Sequence, residues 1–105
     1  MAANIKDIPG KKLVEGITGH YVHGNAMTLG YVEIKKGSNL PSHNHVHEQI
    51  TFIIEGQLDM IIGDVPYSLT AGMYHVIPSN VFHSAIAITD CKLIDVFNPV
   101  REDYR

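Results

Sequence analysis

The feature that most constrains this sequence is the regular alternation of short apolar runs with turn residues from position 50 onwards. The runs are rich in Val, Ile, Tyr and Phe, and they are interrupted at Glu55-Gly56, Gly63-Asp64 and Ala71-Gly72. Such runs are typical of antiparallel sandwiches and small barrels. We predict strands over residues 50–54, 58–62, 65–69, 73–77, 81–88 and 91–97. Pro66 places the 65–69 strand at a sheet edge, because proline cannot donate to a strand ladder.

The first half of the chain is less regular. Residues 1–20 carry Gly10, Gly16 and Gly19 among polar residues, so we expect an N-terminal arm with one short strand around residues 12–14. Residues 26–34 alternate loosely and predict a further strand, and a loop is expected over residues 37–41. With 105 residues, of which 45% are hydrophobic, the chain can bury one core, and we predict a single domain over residues 1–105.

Charge and composition exclude several function classes. The formal net charge is −3, and no basic cluster exceeds two residues, so we expect no nucleic-acid partner. No apolar run approaches a membrane span and the N-terminus lacks the features of a secretory signal, so we expect a cytoplasmic protein without a membrane partner. Cys91 is the only cysteine, and we expect it to be a small buried residue.

The histidine-dense segment His43-Asn-His45-Val-His47-Glu-Gln49 indicates a function. Imidazole is the commonest protein ligand of first-row transition metals. In an extended segment, alternate residues share a face, so the three histidines and Gln49 could project together. One strand cannot surround a metal, and His83, after the turn at residues 78–80, is the candidate from another strand. A hydrogen-bonded histidine cluster without metal is the alternative, and Gln49 could instead orient a ligand.

The two histidine segments resemble the two motifs of the cupin family. Residues 37–56 match the first motif at Gly37, His43, His45 and Gly56, with Gln49 where Glu is usual. Residues 72–83 match the second at Gly72, Pro78 and His83, with Asn80 in place of glycine. The resemblance implies an all-β, single-domain cupin, a double-stranded β-helix or jelly-roll barrel of antiparallel strands. It also implies a divalent transition metal, whether Ni, Zn, Fe, Mn or Co, held by His43, His45, Gln49 and His83.

The substitution of Gln49 for Glu leaves an all-neutral ligand set. A bound divalent cation would keep its full charge, which suits a substrate that brings its own carboxylate. His47 lies outside the motif, and we expect it to line the pocket or to orient a ligand. The remaining histidines are expected on the surface or in the core, with a ligand-orienting role open for His75; they are His20, His23 and His75.

A second polar set lies near the C-terminus. Asp95 shares one face of its predicted strand with Cys91, Leu93 and Phe97, and both faces of that strand are largely apolar. A carboxylate in such a place is costly unless it is paired. Two interpretations stay open: an ion pair, for instance with Arg101, or an acid/base whose pKa is raised by burial beside a metal pocket. For Glu102, Asp103 and Arg105 we expect a solvated tail.

The complete pattern is similar to that of the KdgF-type pectin-degradation cupins. The similarity rests on His43-x-His45-x-His47-x-Gln49 and on Leu93-Ile-Asp-Val-Phe-x-Pro-x-Arg-Glu-Asp-Tyr104, and it covers most of residues 37–104. It implies a homodimeric, metal-dependent enzyme that opens the ring of 4,5-unsaturated uronate monosaccharides to give linear keto acids. The small anionic sugar would meet the catalytic residues Asp95, Phe97 and Arg101. The alternatives are a cupin dioxygenase for a small enediol or flavonol-like substrate and a non-catalytic small-molecule-binding cupin.

Overall fold

Over residues 2–105, which the computed structural model describes, ten strands form two antiparallel sheets. The larger sheet has the order β1-β2-β3-β10-β5-β8 and the smaller one the order β4-β9-β6-β7. The strands are β1 (Lys11–Val14), β2 (Ile17–His23), β3 (Thr28–Ile34), β4 (Asn39–His43), β5 (Glu48–Glu55), β6 (Gln57–Ile62), β7 (Val65–Thr70), β8 (Tyr74–Ile77), β9 (His83–Ala87) and β10 (Cys91–Asn98). Two short 3₁₀ turns cover Ile5–Asp7 and Glu102–Tyr104. The all-β jelly-roll prediction is confirmed.

Most predicted strands agree with the observed ones, including β7 at a sheet edge. Two predictions for the first half are wrong. β2 begins at Ile17, inside the expected irregular arm, because Gly19 occupies an inward strand position rather than breaking the strand. β4 covers residues 39–41, where a loop was expected, and its Pro41 is tolerated because β4 lies at the edge of its sheet.

The larger sheet carries its polar side chains toward one end of the barrel interior. Strand pairing aligns the inward positions of β2, β3, β10 and β5 in cross-strand rows. The apolar rows contain Ile17, Ile34 and Cys91, then Gly19, Val32, Leu93 and Ile53. The polar rows contain Tyr21, Gly30, Asp95 and Thr51, then His23, Thr28, Phe97 and Gln49. The apolar rows pack against the smaller sheet through Leu58, Met60, Ile62, Leu69, Ala85 and Ala87.

The outer face of the larger sheet is apolar as well. Its two central rows are Val22, Leu29, Val96, Ile50 and Val76, and His20, Tyr31, Ile94, Phe52 and Tyr74. Several of these side chains are exposed, with Tyr74 the most exposed. We call these ten residues the apolar outer face.

The free thiol of Cys91 is buried, as expected. Within residues 2–105, no helical segment has the length and apolar character needed to cross a membrane.

Candidate metal centre and its cavity

Three of the predicted ligands meet where the chain passes from the smaller sheet to the larger one. His43 ends β4 and pairs in register with His83, the first residue of β9. His45 lies in the connection to β5. One ring nitrogen from each of the three histidines lies within 4.8 Å of the others. The idea that one strand face presents the alternating histidines is wrong, because β4 ends at His43 and β5 begins only at Glu48.

The main chain fixes the tautomer of all three histidines. The Nδ1 atoms of His43, His45 and His83 each lie 2.9 Å from a carbonyl oxygen, belonging to Pro41, His47 and Val81 respectively. A carbonyl oxygen only accepts hydrogen bonds, so each Nδ1 carries the hydrogen and each Nε2 keeps its lone pair. Three lone pairs therefore converge at one point, as metal ligation by imidazole requires.

The side chain of Gln49 adds a fourth acceptor to this cluster. Its Nε2 donates to Thr51 Oγ1 at 2.9 Å and to Asp95 Oδ1 at 3.1 Å. Because an ionised carboxylate only accepts, the amide nitrogen must face Asp95, and this leaves Oε1 pointing at His45 Nε2, 3.0 Å away. In the neutral His45 ring two acceptors face each other at that distance, and a cation bound by both atoms would remove this conflict.

The donor set therefore fits a divalent transition metal. His83 Nε2 is fully buried and has no hydrogen-bond partner among the described residues. Burial lowers the pKa of His83 to about 4, and burial with the charge of Arg101 lowers the pKa of His45. Both rings thus stay neutral near pH 7, when their lone pairs are free to bind metal. His43, His45 and His83 form a cluster that could hold a cation, and the position of Gln49 suits a fourth ligand.

Asp95 is joined to this centre by hydrogen bonds. Thr51 Oγ1 donates to its carboxylate at 2.7 Å, in addition to the bond from Gln49. Burial raises the pKa of Asp95 to about 6, against the opposing effects of the Thr51 and Gln49 hydrogen bonds and the Arg101 charge. A carboxyl group with a pKa so close to neutrality can exchange protons at physiological pH. The alternative of an ion pair with Arg101 is not found, because Arg101 pairs with another residue.

Arg101 is held in a fixed orientation by Asp103. Its Nε and Nη2 donate to the two carboxylate oxygens of Asp103 at 3.0 and 2.8 Å. Its guanidinium carbon lies 4.7 Å from the ring centre of Phe97 and 4.0 Å from that of Tyr104. The Arg101 side chain is only 7% exposed. Asp103 is exposed, as expected of a solvated tail, with 57% of its side chain accessible. The 3₁₀ turn at residues 102–104 nevertheless brings its carboxylate onto Arg101.

These residues surround a cavity of about 220 Å³. Its polar end is formed by His43, Gln49, Thr51, His83, Asp95 and Arg101, and its aromatic wall by Tyr21, Phe97 and Tyr104. The rest of the lining consists of core residues such as Val32, Met60 and Leu93. Pockets for drug-sized ligands measure roughly 300–1,000 Å³, so this cavity suits a smaller molecule.

The remaining histidines support other elements. His47 packs edge-on against His45 and Phe97, with ring centres 5.5 and 6.4 Å away, and its carbonyl orients His45. This orienting contact comes from the main chain of His47, and the role of its side chain stays a prediction. The imidazole of His23 contacts Thr28 Oγ1 and the carbonyl of Tyr104. His75 packs on Tyr67 with ring centres 4.4 Å apart, away from the metal cluster.

Sequence reasoning missed four residues of the site. Thr51 and Asp103 hydrogen-bond Asp95 and Arg101, and Tyr21 and Tyr104 line the cavity. Thr51 could have been predicted from the alternation of side chains along a strand, since it lies two positions after Gln49 and therefore on the same face. Tyr21 could not, because its strand was not predicted.

Comparison with known proteins places the chain in a family. The family model described as Cupin domain matches residues 30–97. H2HPP isomerase of Bacillus subtilis is 33% identical over 94 residues, which cover 84% of this chain and 39% of that protein. Pectin degradation protein KdgF of Dickeya dadantii (strain 3937) is 25% identical over 101 residues, covering 93% of this chain and 92% of that protein. The chain therefore spans well under half of the first relative and nearly all of the second.

Solved structures show the same architecture. KdgF from Halomonas sp. has a TM-score of 0.88 at 24% identity, covering 95% of this chain and 94% of that one. An RmlC-like cupin from Shewanella frigidimarina has a TM-score of 0.91 at 26% identity, covering 98% and 94%. With a family match that contains most of both histidine motifs, a matching fold and three converging histidines, the chain belongs to the cupin family, as a small cupin that resembles KdgF.

Proposed function

We propose that this protein is a metal-dependent enzyme that opens the ring of 4,5-unsaturated uronate monosaccharides, which arise in pectin or alginate breakdown, and yields linear keto acids. The observation that carries the proposal is the set of hydrogen bonds that joins Asp95 to Gln49, directly and through Thr51, at the edge of the histidine cluster. It places a carboxyl group of raised pKa beside the candidate metal centre, inside a cavity too small for a polymer.

The reaction needs no oxidant, because it moves one proton. The anomeric hydroxyl loses its proton, the bond between C1 and the ring oxygen breaks, and C1 becomes a carbonyl carbon. The ring oxygen remains on C5 as an enolate, and the proton removed from the anomeric hydroxyl is delivered to C4, which converts the enolate into a ketone. Asp95 is the group placed to receive the first proton and to return one to C4. Thr51 and Gln49 orient the carboxylate for both steps.

The residues His43, His45, Gln49 and His83 would hold the cation, which when bound supplies Lewis-acid polarisation of substrate oxygens. Arg101 binds the substrate carboxylate. The carboxylate of Asp103 accepts hydrogen bonds from Nε and from one hydrogen of Nη2. Nη1 and the second hydrogen of Nη2 are left to donate a bidentate, charge-assisted contact to the substrate carboxylate. Phe97 forms an apolar wall beside this guanidinium, against which the sugar ring can lie.

The relatives support a redox-neutral reaction of this kind. One is named a pectin degradation protein and covers nearly the whole chain. The other is named an isomerase, and the present chain spans less than half of it. An isomerase moves atoms within a molecule without a net oxidation, as the proposed ring opening does. The neutral ligand set also favours a substrate that brings its own negative charge.

The test uses protein purified without an affinity tag, metal analysis, and an unsaturated monouronate whose enol-ether absorption disappears on ring opening. We expect wild-type protein to remove the absorption and Asp95→Asn to slow this by about 10²–10⁴-fold, the usual contribution of general acid–base catalysis. The Asn variant should contain as much metal as wild type. Asp64→Asn, in an exposed turn, is the matched control and should remain fully active. Wild-type rates in Asp95→Asn would remove Asp95 from the mechanism.

The same preparation separates the alternatives. Oxygen uptake with small enediol or flavonol substrates, and inactivity toward the uronate, would identify a dioxygenase. Stoichiometric uronate binding without turnover would identify a binding protein. We expect turnover of the uronate without oxygen uptake.

A further inference from the structure

The strand register places Tyr21 beside the catalytic end of the cavity. Tyr21 on β2 pairs with Gly30 on β3, and Gly30 pairs on its other side with Asp95 on β10. The three residues therefore share one inward row, two strand spacings wide, or about 9.6 Å. The residue between Tyr21 and Asp95 has no side chain, so nothing in that row separates the aromatic ring from the carboxyl group.

Two glycines make room for the Tyr21 ring. A Cβ atom at Gly30 would lie 2.5 Å from Tyr21 Cε1 and 2.8 Å from Cδ1. A Cβ atom at Gly19 would collide with the hydroxyl end of the same ring, at 2.5 Å from Cε2 and Cζ. Neither glycine has a positive φ, so neither is required by backbone conformation. Their common effect is to let the Tyr21 ring lie flat against the backbone of β2 and β3.

The hydroxyl of Tyr21 is not used by the network that organises the cavity wall. That network joins Gln49, Thr51 and Asp95, and it pairs Arg101 with Asp103. Tyr21 is 7% exposed and lines the cavity. Its ring packs against Tyr104 with the ring centres 4.6 Å apart and the planes tilted by 41°. Burial raises the pKa of Tyr21, so its phenol is a neutral donor. The Tyr21 hydroxyl has no hydrogen bond to another described residue, and it is not among the fully buried polar atoms that lack a partner. It is therefore open to a ligand in the cavity, whereas packing alone would be served equally well by Phe.

We propose that Tyr21 contacts the substrate and donates a hydrogen bond from its hydroxyl to an oxygen of the bound sugar, and that Gly19 and Gly30 seat its ring for this purpose. The proposal rests on the proposed function for the identity of the ligand, a small acidic sugar. It adds a donor on β2 whose hydroxyl lies over Gly19, one inward position along the strand from the row that holds Gly30 and Asp95. In contacts with the bound sugar, Asp95 thus accepts a proton and Tyr21 donates a hydrogen bond.

The experiment compares Tyr21→Phe with Tyr67→Phe in metal-loaded protein. Tyr67 lies on β7 in the smaller sheet and is exposed, so it controls for the loss of a phenol. Two measurements are made: turnover of the unsaturated monouronate, and calorimetric binding of galacturonate, a saturated uronate that lacks the enol ether. We expect Tyr21→Phe to lower kcat/KM by about tenfold, which corresponds to about 1.4 kcal/mol. Galacturonate binding should weaken several-fold, with metal content and melting temperature unchanged.

The outcomes distinguish the two proposals. Wild-type turnover with an unaltered Tyr21→Phe variant would overturn the role of Tyr21 and leave the proposed function standing. Galacturonate binding that weakens in Tyr21→Phe, in a protein without turnover, would support the contact by Tyr21 and overturn the enzymatic function. Absence of both turnover and binding in wild type would overturn both. A loss of metal or of thermal stability in Tyr21→Phe, equal in size to the loss of activity, would show a structural role instead.

Discussion

The packing of the Tyr21 ring against Gly30 can be tested by the free energy of unfolding alone, without any substrate. A Cβ atom at Gly30 would approach Tyr21 Cε1 to 2.5 Å, which falls 0.9 Å short of the 3.4 Å at which ordinary contacts begin. Gly30 does not have a positive φ, so alanine meets no backbone strain there. The cost of Gly30→Ala is therefore steric, and overpacking of this kind destabilises a core by about 1–3 kcal/mol.

A double-mutant cycle isolates this contact. Tyr21→Ala removes the ring and should cost about 3–5 kcal/mol, as large-to-small changes of aromatic residues do. In the Tyr21→Ala background the new methyl group at position 30 meets no remaining atom closer than 3.5 Å, an ordinary contact, so Gly30→Ala should cost nearly nothing. The coupling free energy is then about 1–3 kcal/mol, within the range measured for residues in contact. Urea unfolding of the four proteins at one metal concentration gives this value directly.

Gly24→Ala serves as the control, because a Cβ atom there meets its nearest neighbour at an ordinary 3.6 Å. Its cost should be the same with and without Tyr21. Equal costs of Gly30→Ala in both backgrounds would refute the conclusion that Gly30 makes room for the ring, and with it the structural basis for placing the Tyr21 hydroxyl in the cavity.

Three further predictions concern Arg101, the metal and the oligomeric state. Asp103→Asn should raise KM for the uronate about tenfold with kcat unchanged, and Asp103→Glu should restore part of the loss, because Asp103 acts by orienting Arg101; equal KM values would contradict this. Zn²⁺ or Ni²⁺ at 100 times its Kd should stabilise metal-free protein by about 2.7 kcal/mol. This gain, measured from thermal unfolding, should vanish in His83→Ala and persist in His75→Ala. We propose that a second copy covers the apolar outer face, since large exposed apolar patches mark interfaces. Sedimentation should show a dimer that Phe52→Lys dissociates, whereas Phe82→Lys, exposed outside that face, leaves it intact.

The local features of the fold were predictable because local chemistry determines them. The positions of glycine and proline predicted the bounds of β5 to β10 to within a few residues, since turns are rich in these two residues. The alternation of side chains along β10 placed Asp95 and Phe97 on the inner face with Leu93, as the register shows. The convergence of His43, His45 and His83 followed from the resemblance to a family motif, because spacing alone cannot bring β4 and β9 together.

The pair between Arg101 and Asp103 was not predicted, because a charged C-terminal segment gives no sign in isolation that it contacts the barrel. What returns it to the barrel is a contact from far along the chain: the Arg101 main-chain nitrogen donates to Thr28 Oγ1 at 2.8 Å, and Thr28 is completely buried. That bond fixes residue 101, and the carboxylate of Asp103, two positions further on, pairs with the Arg101 guanidinium. The local Arg-x-Asp spacing permits the pair, but burial of the guanidinium by Phe97 and Tyr104 is what makes it rigid.

The glycines of β2 and β3 show why the site is harder to predict than the fold. A glycine within a run of strand-forming residues has two interpretations, a break in the strand or a close approach of another group. The sequence around Gly19 favours the first, and the structure shows the second. Only the register decides between them, because it sets Gly30 between Tyr21 and Asp95. The missing Cβ atoms at these two positions leave the space that the Tyr21 ring occupies, so the residues without side chains determine which donor reaches the cavity.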